Sequence, residues 1–176
     1  MTTATAMHEQ VVVQMSKMLR NLEGMLAKAA AFAEAKGCAP DSFVGFSLAP
    51  DMRPLSFQIQ AASDTAKFAV ARLTDVEAPS FPDDETTLDQ LRERLAKTAA
   101  FLEGVEAKAF EGAEAREVRL HFLPGKWVRG DDYLREFALP NLYFHVSIAY
   151  ALLRMAGVSV GKLDYVGSMK LHDDPA

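Results

Sequence analysis

Apolar side chains recur along the first part of the chain at alternating steps of four and three residues. The stripe consists of Val11, Met15, Met18, Leu22, Met25, Ala29 and Phe32, with Val12, Leu19 and Leu26 widening it. This spacing puts all of these side chains on one face of a long amphipathic helix. Gly37 is the predicted stop, since glycine commonly follows the last helical residue.

The same spacing appears twice more, before and after a segment with two prolines, VEAPSFPDDE. A second helix is predicted from near Pro54 to about Thr74, and its apolar face is Leu55, Ile59, Ala62, Ala66, Ala69 and Leu73. Thr86 or Thr87 can cap a third helix, because a hydroxyl there accepts from an unpaired backbone N–H. The third stripe is Leu88, Leu91, Leu95, Thr98, Leu102 and Val105.

The period then changes from helical to alternating. In EVRLHFLPGKWV, the apolar Val118, Leu120 and Phe122 alternate with Arg119 and His121 before a Pro-Gly pair. Strict alternation followed by a turn signal predicts a short hairpin or extended excursion. On this pattern His121 is expected to face solvent. An isolated hairpin is marginal in water, so it should lie against the helices.

A fourth helix is predicted from Asp131 or Asp132 to about Ala156. Pro140 lies within it and should kink or divide it near Leu139, because proline cannot donate the helical hydrogen bond. The predicted inward positions are Asn141, His145, Ile148, Leu152 and Met155. Residues 157–176 are predicted to be irregular, and 161–167 (GKLDYVG) to cover the bundle end or a subunit contact.

Four amphipathic helices with no linker between them predict an all-α fold, a four-helix bundle with the hairpin before the last long helix. The chain of 176 residues is long enough for one hydrophobic core, so we expect a single domain over 1–176.

Charge and composition narrow the classes of function. The net charge of −5 argues against a general nucleic-acid binder, which would carry a basic surface. No apolar run approaches the roughly 18 residues of a membrane span, and the first residues lack the basic and apolar regions of a signal peptide. We therefore expect a cytoplasmic protein without membrane contact. Cys38 lies just past a helix end, where no helix N-terminus activates the thiol.

The candidate chemistry lies on the second and fourth helices. Asn141 and His145 are one turn apart on the predicted inward face, and a buried imidazole needs hydrogen-bond partners. Gln60 and Asp64 share a face of the second helix, and a carboxylate among apolar positions needs a cation or a donor. An Asp64–His145 pair would hold a divalent metal, act as a general base, or form a buried ionic hydrogen bond. These alternatives stay open on the residues alone.

Two segments resemble the DinB/YfiT-like superfamily of four-helix bundles, and within it an uncharacterised bacterial branch. They are LAPDMRPLSFQIQAASDTAK at 48–67 and LPNLYFHVSIAYALLRMAGVSVGKLDYVG at 139–167. The resemblance implies a homodimer and a divalent metal, often nickel or zinc, held by one histidine of the second helix and an HxxxH pair of the last. Here His145 takes the place of the second histidine of that pair, Asn141 takes that of the first, and Asp64 or Gln60 stands nearest to the missing third.

Two functions follow as expectations. One is a polar pocket around His145, Asn141, Asp64 and Gln60 that binds a small ligand or a weakly held metal, with His145 and Asp64 as ligands and Tyr143, Tyr150 or Trp127 at its mouth. If this pocket is catalytic, His145 is the base or ligand and Asp64 orients it. The other is a non-catalytic structural or interaction dimer, in which the polar cluster only sets helix register. The sequence does not decide whether the protein is an enzyme.

Overall fold

The computed structural model describes residues 2–172 and contains the four predicted helices. Helix α1 runs without a break through Thr3–His8, the π-helical segment Glu9–Gln14 and Met15–Lys36. Helices α2 and α3 are Leu55–Leu73 and Leu88–Glu103. Helix α4 is continuous through Gly130–Asp132, the π-helical segment Tyr133–Ala138 and Leu139–Met155. Short 3-10 turns lie at Pro40–Phe43, Ala107–Phe110 and Ala113–Ala115.

The helix ends follow the sequence signals. Gly37 ends α1 in the left-handed conformation, with φ of 66°, which costs glycine no steric strain. The Thr87 side chain caps α3 by accepting from the backbone N–H of Gln90. The Gln90 side chain accepts in turn from the backbone N–H of Thr87, which completes a capping box.

The four helices form a closed bundle in which α1 packs on α3, α3 on α2, α2 on α4, and α4 on α1. The predicted stripes of α2 and α3 are buried throughout, as is that of α1 except for the partly exposed Phe32. The fold prediction is therefore confirmed. No helix among residues 2–172 combines the length and the apolar character needed to cross a bilayer.

The alternating segment forms the predicted hairpin, although its paired part is short. Strand β1 is Glu117–Val118 and strand β2 is Val128–Arg129, paired antiparallel with Val118 opposite Val128. Val118 and Leu120 are buried against the bundle. The tip of the hairpin, residues 121–127, is exposed.

Pro140 breaks the hydrogen-bond ladder of α4 without ending the helix. It has no N–H to donate to the carbonyl of Glu136, and the wider π-helical segment Tyr133–Ala138 ends two residues before it. A π-helical turn absorbs an interrupted ladder without ending the helix. The segment Glu9–Gln14 in α1 is also π-helical, but no proline marks it.

The inward face of α4 differs from the predicted one by about one residue. From Ala138 onward the buried positions are Ala138, Leu142, Val146, Ala149, Leu152 and Leu153, so Leu152 is the one predicted inward position that is buried. Met155 is 57% exposed, and Asn141, His145 and Ile148 are only partly buried. The other four positions were predicted wrongly because α4 has apolar residues on most sides, so spacing alone could not single out the face that is buried in the core.

The tail prediction was wrong over one stretch. Residues Lys162–Val166 form helix α5, which packs along α1: Asn21 Nδ2 donates to the carbonyl of Tyr165 (2.9 Å) and Lys28 Nζ to Asp164 Oδ1 (2.7 Å). Gly161 and Asp164 start this helix by a local backbone–carboxylate bond of 2.8 Å. Residues 157–161 and 167–172 form no helix or strand, as predicted, and residues 173–176 lie outside the described residues.

Candidate functional site

A cleft of about 600 Å³ lies between α2 and α4. Its walls include seven residues of α2, two of α4, and side chains from the loops and the hairpin tip. They are Phe57, Gln60, Ala61, Asp64, Thr65, Phe68 and Arg72; Phe137 and Asn141; and Arg53, Asp83, His121 and Phe122. Three of the four predicted site residues, Gln60, Asp64 and Asn141, therefore share one cleft.

Asn141 is fixed in this cleft by one end of its amide. Its Nδ2 donates to Thr65 Oγ1 (2.6 Å), and that hydroxyl donates in turn to the carbonyl of Ala61 (2.7 Å). Asn141 Oδ1 accepts no hydrogen bond within residues 2–172. The amide is thus held in place by its nitrogen, and its oxygen keeps the capacity to accept a hydrogen bond from a ligand.

Asp64 is engaged by two buried cations. Its Oδ1 accepts from Arg94 Nη2 at 2.6 Å and forms an ion pair with Lys67 Nζ at 2.9 Å. Arg94 and Lys67 are each 3% exposed, so they come at a desolvation cost that this carboxylate offsets. The cation that the sequence required for Asp64 is therefore supplied by α3 and by its own helix.

Arg94 is the centre of a larger ionic cluster behind the cleft. Besides Asp64, it donates to Asp83 Oδ1 (2.5 Å), Glu85 Oε1 (2.9 Å) and Ser63 Oγ (3.1 Å). Burial opposes ionisation of Glu85, but bonds from Gln60 and Arg94 outweigh burial and lower the pKa of that carboxyl. Asp83 adopts a left-handed conformation, with φ of 56°, which aspartate tolerates better than most residues.

His145 joins α4 to α2 through Gln58. Its Nδ1 lies 2.8 Å from Gln58 Oε1, and Gln58 Nε2 donates to the carbonyl of Arg53 (2.9 Å). Because the amide nitrogen is used on Arg53, its oxygen faces the ring, and neutral His145 carries its proton on Nδ1. Burial lowers the pKa of His145, so the imidazole is neutral at neutral pH and keeps a lone pair on Nε2.

The depressed pKa of His145 predicts a pH effect on stability. Below about pH 6.5 the unfolded chain takes up the proton more readily than the folded one, so acidification favours unfolding. We expect the wild type to lose more stability between pH 7.5 and pH 5 than His145→Gln does, with Tm measured for both. Titration of the ring by NMR should give a pKa below 6.5. Identical pH profiles for the two proteins would contradict the assignment.

The predicted Asp64–His145 contact does not form. Asp64 is bound by Arg94 and Lys67, whereas His145 is bound by Gln58. His145 does not line the cleft. Among residues 2–172, no group of three or more His, Cys, Asp or Glu side chains is placed to hold a metal ion. These donors do not fit a three-histidine nickel or zinc centre, and no metal enters the function proposed below. Metal binding by His145 and Asp64 stays a prediction.

The aromatic mouth of the cleft is also different from the expected one. Tyr143 accepts from Gln14 Nε2 at 3.1 Å, and Tyr150 packs against Tyr165. Neither they nor Trp127 line the cleft; Phe57, Phe68, Phe122 and Phe137 do. His121 is exposed, as its pattern predicted, but it also borders the cleft.

Sequence reasoning missed the arginines. Arg72 lies four residues beyond Phe68 and continues the face that carries Phe57, Ala61 and Asp64, so helical spacing alone would have found it. Arg53 precedes α2 and reaches the cleft by stacking on Phe57, with Cζ 4.6 Å from the ring centroid. No spacing rule indicates that contact.

The comparisons with known proteins agree with the fold. Residues 7–166 match the model of the family DUF1993, described as a domain of unknown function. The chain is 42% identical to a DinB family member protein from Shewanella denitrificans, whose crystal structure superposes with a TM-score of 0.93 and 97% coverage of each chain. Among curated proteins, none matches. The chain therefore belongs to the DUF1993 family, and its fold is that of a DinB family member.

Proposed function

We propose that this protein binds a small organic molecule in the cleft between α2 and α4. The observation that carries the proposal is the composition of the cleft: aromatic side chains form much of its wall, and Gln60, Asp64 and Asn141 lie among them. Ligand sites are typically concave and largely apolar, with a few placed polar groups. A volume of about 600 Å³ suits a ligand of one or two rings.

Two other clefts of similar size are less suited to bind such a ligand. One of about 510 Å³ is lined by His8, Arg20 and Glu103, among others. There Arg20 pairs with Glu103 (3.1 Å) and His8 Nε2 is 2.9 Å from the carbonyl of Val105, so these side chains already bind protein atoms. Another of about 520 Å³ is lined mainly by small and apolar residues of α3 and the following turn. Neither combines an aromatic wall with free polar atoms.

The first test uses 2-naphthamide, a neutral two-ring probe. We expect it to bind, with NMR shift changes concentrated at Phe57, Phe68 and Asn141. Ala61→Phe should abolish this binding, because Ala61 lies in the cleft wall and a phenyl group there occupies the space of the probe. Isothermal titration calorimetry measures both affinities.

The matched control is Ala31→Phe. Ala31 is an exposed residue of α1 outside the cleft, so the same substitution there should leave binding unchanged. Binding that survives Ala61→Phe in a folded protein, or shift changes elsewhere on the surface, would rule out this cleft as the site.

A second candidate is the structural dimer without a ligand, and one observation favours a purely structural role for the polar residues. The bonds His145–Gln58 and Asn141–Thr65 both join α4 to α2, and such polar pairs fix the register of packed helices. In that case the two polar pairs only stabilise the packing of α4 on α2 and bind no ligand. A dimer in solution whose cleft takes no probe would support this candidate over ligand binding.

A further inference from the structure

Arg72 is a cleft residue whose charge is not neutralised by any carboxylate among the described residues. Within residues 2–172 it forms no ion pair with a carboxylate. The cleft carboxylates are already engaged, Asp64 by Arg94 and Lys67 and Asp83 by Arg94. Among residues 2–172, no acidic side chain is therefore paired with the positive charge at this end of the cleft.

The guanidinium of Arg72 is held in place by uncharged contacts. Its Cζ lies 5.2 Å from the ring centroid of Phe68 and 5.6 Å from that of Tyr133, and its Nη1 donates to Tyr133 Oη at 3.0 Å. Tyr133 is fully buried, and Arg72 is half-buried. A braced guanidinium loses little side-chain entropy on binding and keeps its other N–H groups for a planar anion.

A second arginine, Arg53, adds to the positive charge of the cleft. Arg53 lines the other end of the cleft, stacked on Phe57, and it too has no carboxylate partner among the described residues. Roughly 26 Å of helix rise separates Arg72 from the start of α2 at Leu55, two residues after Arg53, so the two side chains cannot close on one small group. We assign the anchoring role to Arg72, because it contacts two aromatic rings where Arg53 contacts one, and it lines the same cleft as Phe137 and Asn141.

We infer that the cleft takes an aromatic organic anion, with its carboxylate or comparable acidic group on the Arg72 guanidinium and its ring against Phe68, Phe122 and Phe137. The inference rests on the proposed function and adds the chemical class of the ligand. Asn141 Oδ1 would then accept from a hydroxyl or amide N–H of that ligand.

The test compares 2-naphthoate with 2-naphthamide, which match in shape and differ in charge. We expect the wild type to bind the anion at least about tenfold more tightly, the size of effect typical of a charge-assisted hydrogen bond. Added NaCl should weaken naphthoate binding and leave naphthamide binding nearly unchanged. Neither measurement requires a substitution, so neither depends on a variant folding.

Substitutions then locate the anion. Arg72→Gln should lower naphthoate affinity about tenfold and bring it close to that of naphthamide, whereas Arg72→Lys should retain part of it as a point charge without the planar fork. The matched control is Lys162→Gln, which removes one positive charge at an exposed position outside the cleft. It should leave both affinities unchanged.

The outcomes separate the two proposals. Equal binding of the two compounds, or equal losses in Arg72→Gln and Lys162→Gln, would overturn the anion inference and leave the proposed function standing. Failure of both compounds to bind would overturn the proposed function and the inference with it.

Discussion

Replacing Arg94 with methionine is expected to lower the free energy of unfolding by about 3 kcal/mol at pH 7, the lower end of the range for breaking a buried ion pair. Methionine keeps much of the apolar stem but removes the cation that binds Asp64, Asp83 and Glu85. We expect most of the lost stability to come from Glu85, whose side chain is 10% exposed, because this carboxylate stays buried without its charge partner. Urea denaturation monitored by circular dichroism measures the loss.

The same variant should change the pH dependence of stability. In the wild type the pKa of Glu85 is lowered, so its contribution is present above about pH 4.5 and is lost as the pH falls through the lower folded value. Without Arg94, burial should raise the pKa of Glu85, and the variant's deficit then shrinks on acidification from pH 7 to pH 5. A deficit that stays constant over this range would show that Glu85 is not coupled to Arg94.

Arg92→Met is the matched control for this substitution. Arg92 lies on the same helix and pairs at 3.0 Å with Asp89, whose side chain is 85% exposed. Exposed ion pairs contribute about 0 to 1 kcal/mol, so this variant should retain nearly wild-type stability. A similar loss in both variants would point to a general effect of removing arginine from α3.

Gly130→Ala is expected to destabilise the protein by about 3 kcal/mol or more, the upper part of the range for overpacking. A Cβ at Gly130 would lie 1.9 Å from the carbonyl oxygen of Ala113 and 3.0 Å from Leu73 Cδ2. The obstacle is backbone, so it cannot be relieved by rotating a side chain, and the start of α4 must move away from the turn at Ala113–Ala115. Thermal unfolding of the two proteins measures the effect.

Gly24→Ala is the control for that prediction. Gly24 lies inside α1, is exposed, and has no neighbouring atom within 4 Å of an added Cβ. Alanine in a helix interior is better than glycine by about 0.5–1 kcal/mol, so this variant should be more stable than the wild type. A wild-type Tm for Gly130→Ala would contradict the close approach of α4 to Ala113.

Much of the fold could be predicted from the sequence because its signals are local. The stripes of α2 and α3 are buried throughout, Gly37 adopts the left-handed conformation that ends α1, and Thr87 caps α3. Each depends on helical spacing or on the conformation of one residue. The same holds for the interruption before Pro140, which follows from a missing N–H.

The candidate site was predicted less well, because its geometry depends on which helices are neighbours and how they are rotated. Helical spacing placed Gln60 and Asp64 on one face, and both do line the cleft. The sequence also led us to expect a contact between Asp64 and His145, but Asp64 is bound by Arg94 of α3, thirty residues further along the chain. Nothing in the sequence near Arg94 marks it as the centre of a buried cluster.

The sequence by itself determined the four helices, their ends, the hairpin and the set of apolar positions in α1, α2 and α3, since each arises from contacts within a few residues. Only the tertiary structure decided the rotation of α4, the pairing of His145 with Gln58, and the convergence of Arg72, Phe137 and Asn141 on one cleft. Several faces of α4 are apolar enough to be buried. Packing against α2 selects among them, because only one rotation fills the space between the helices.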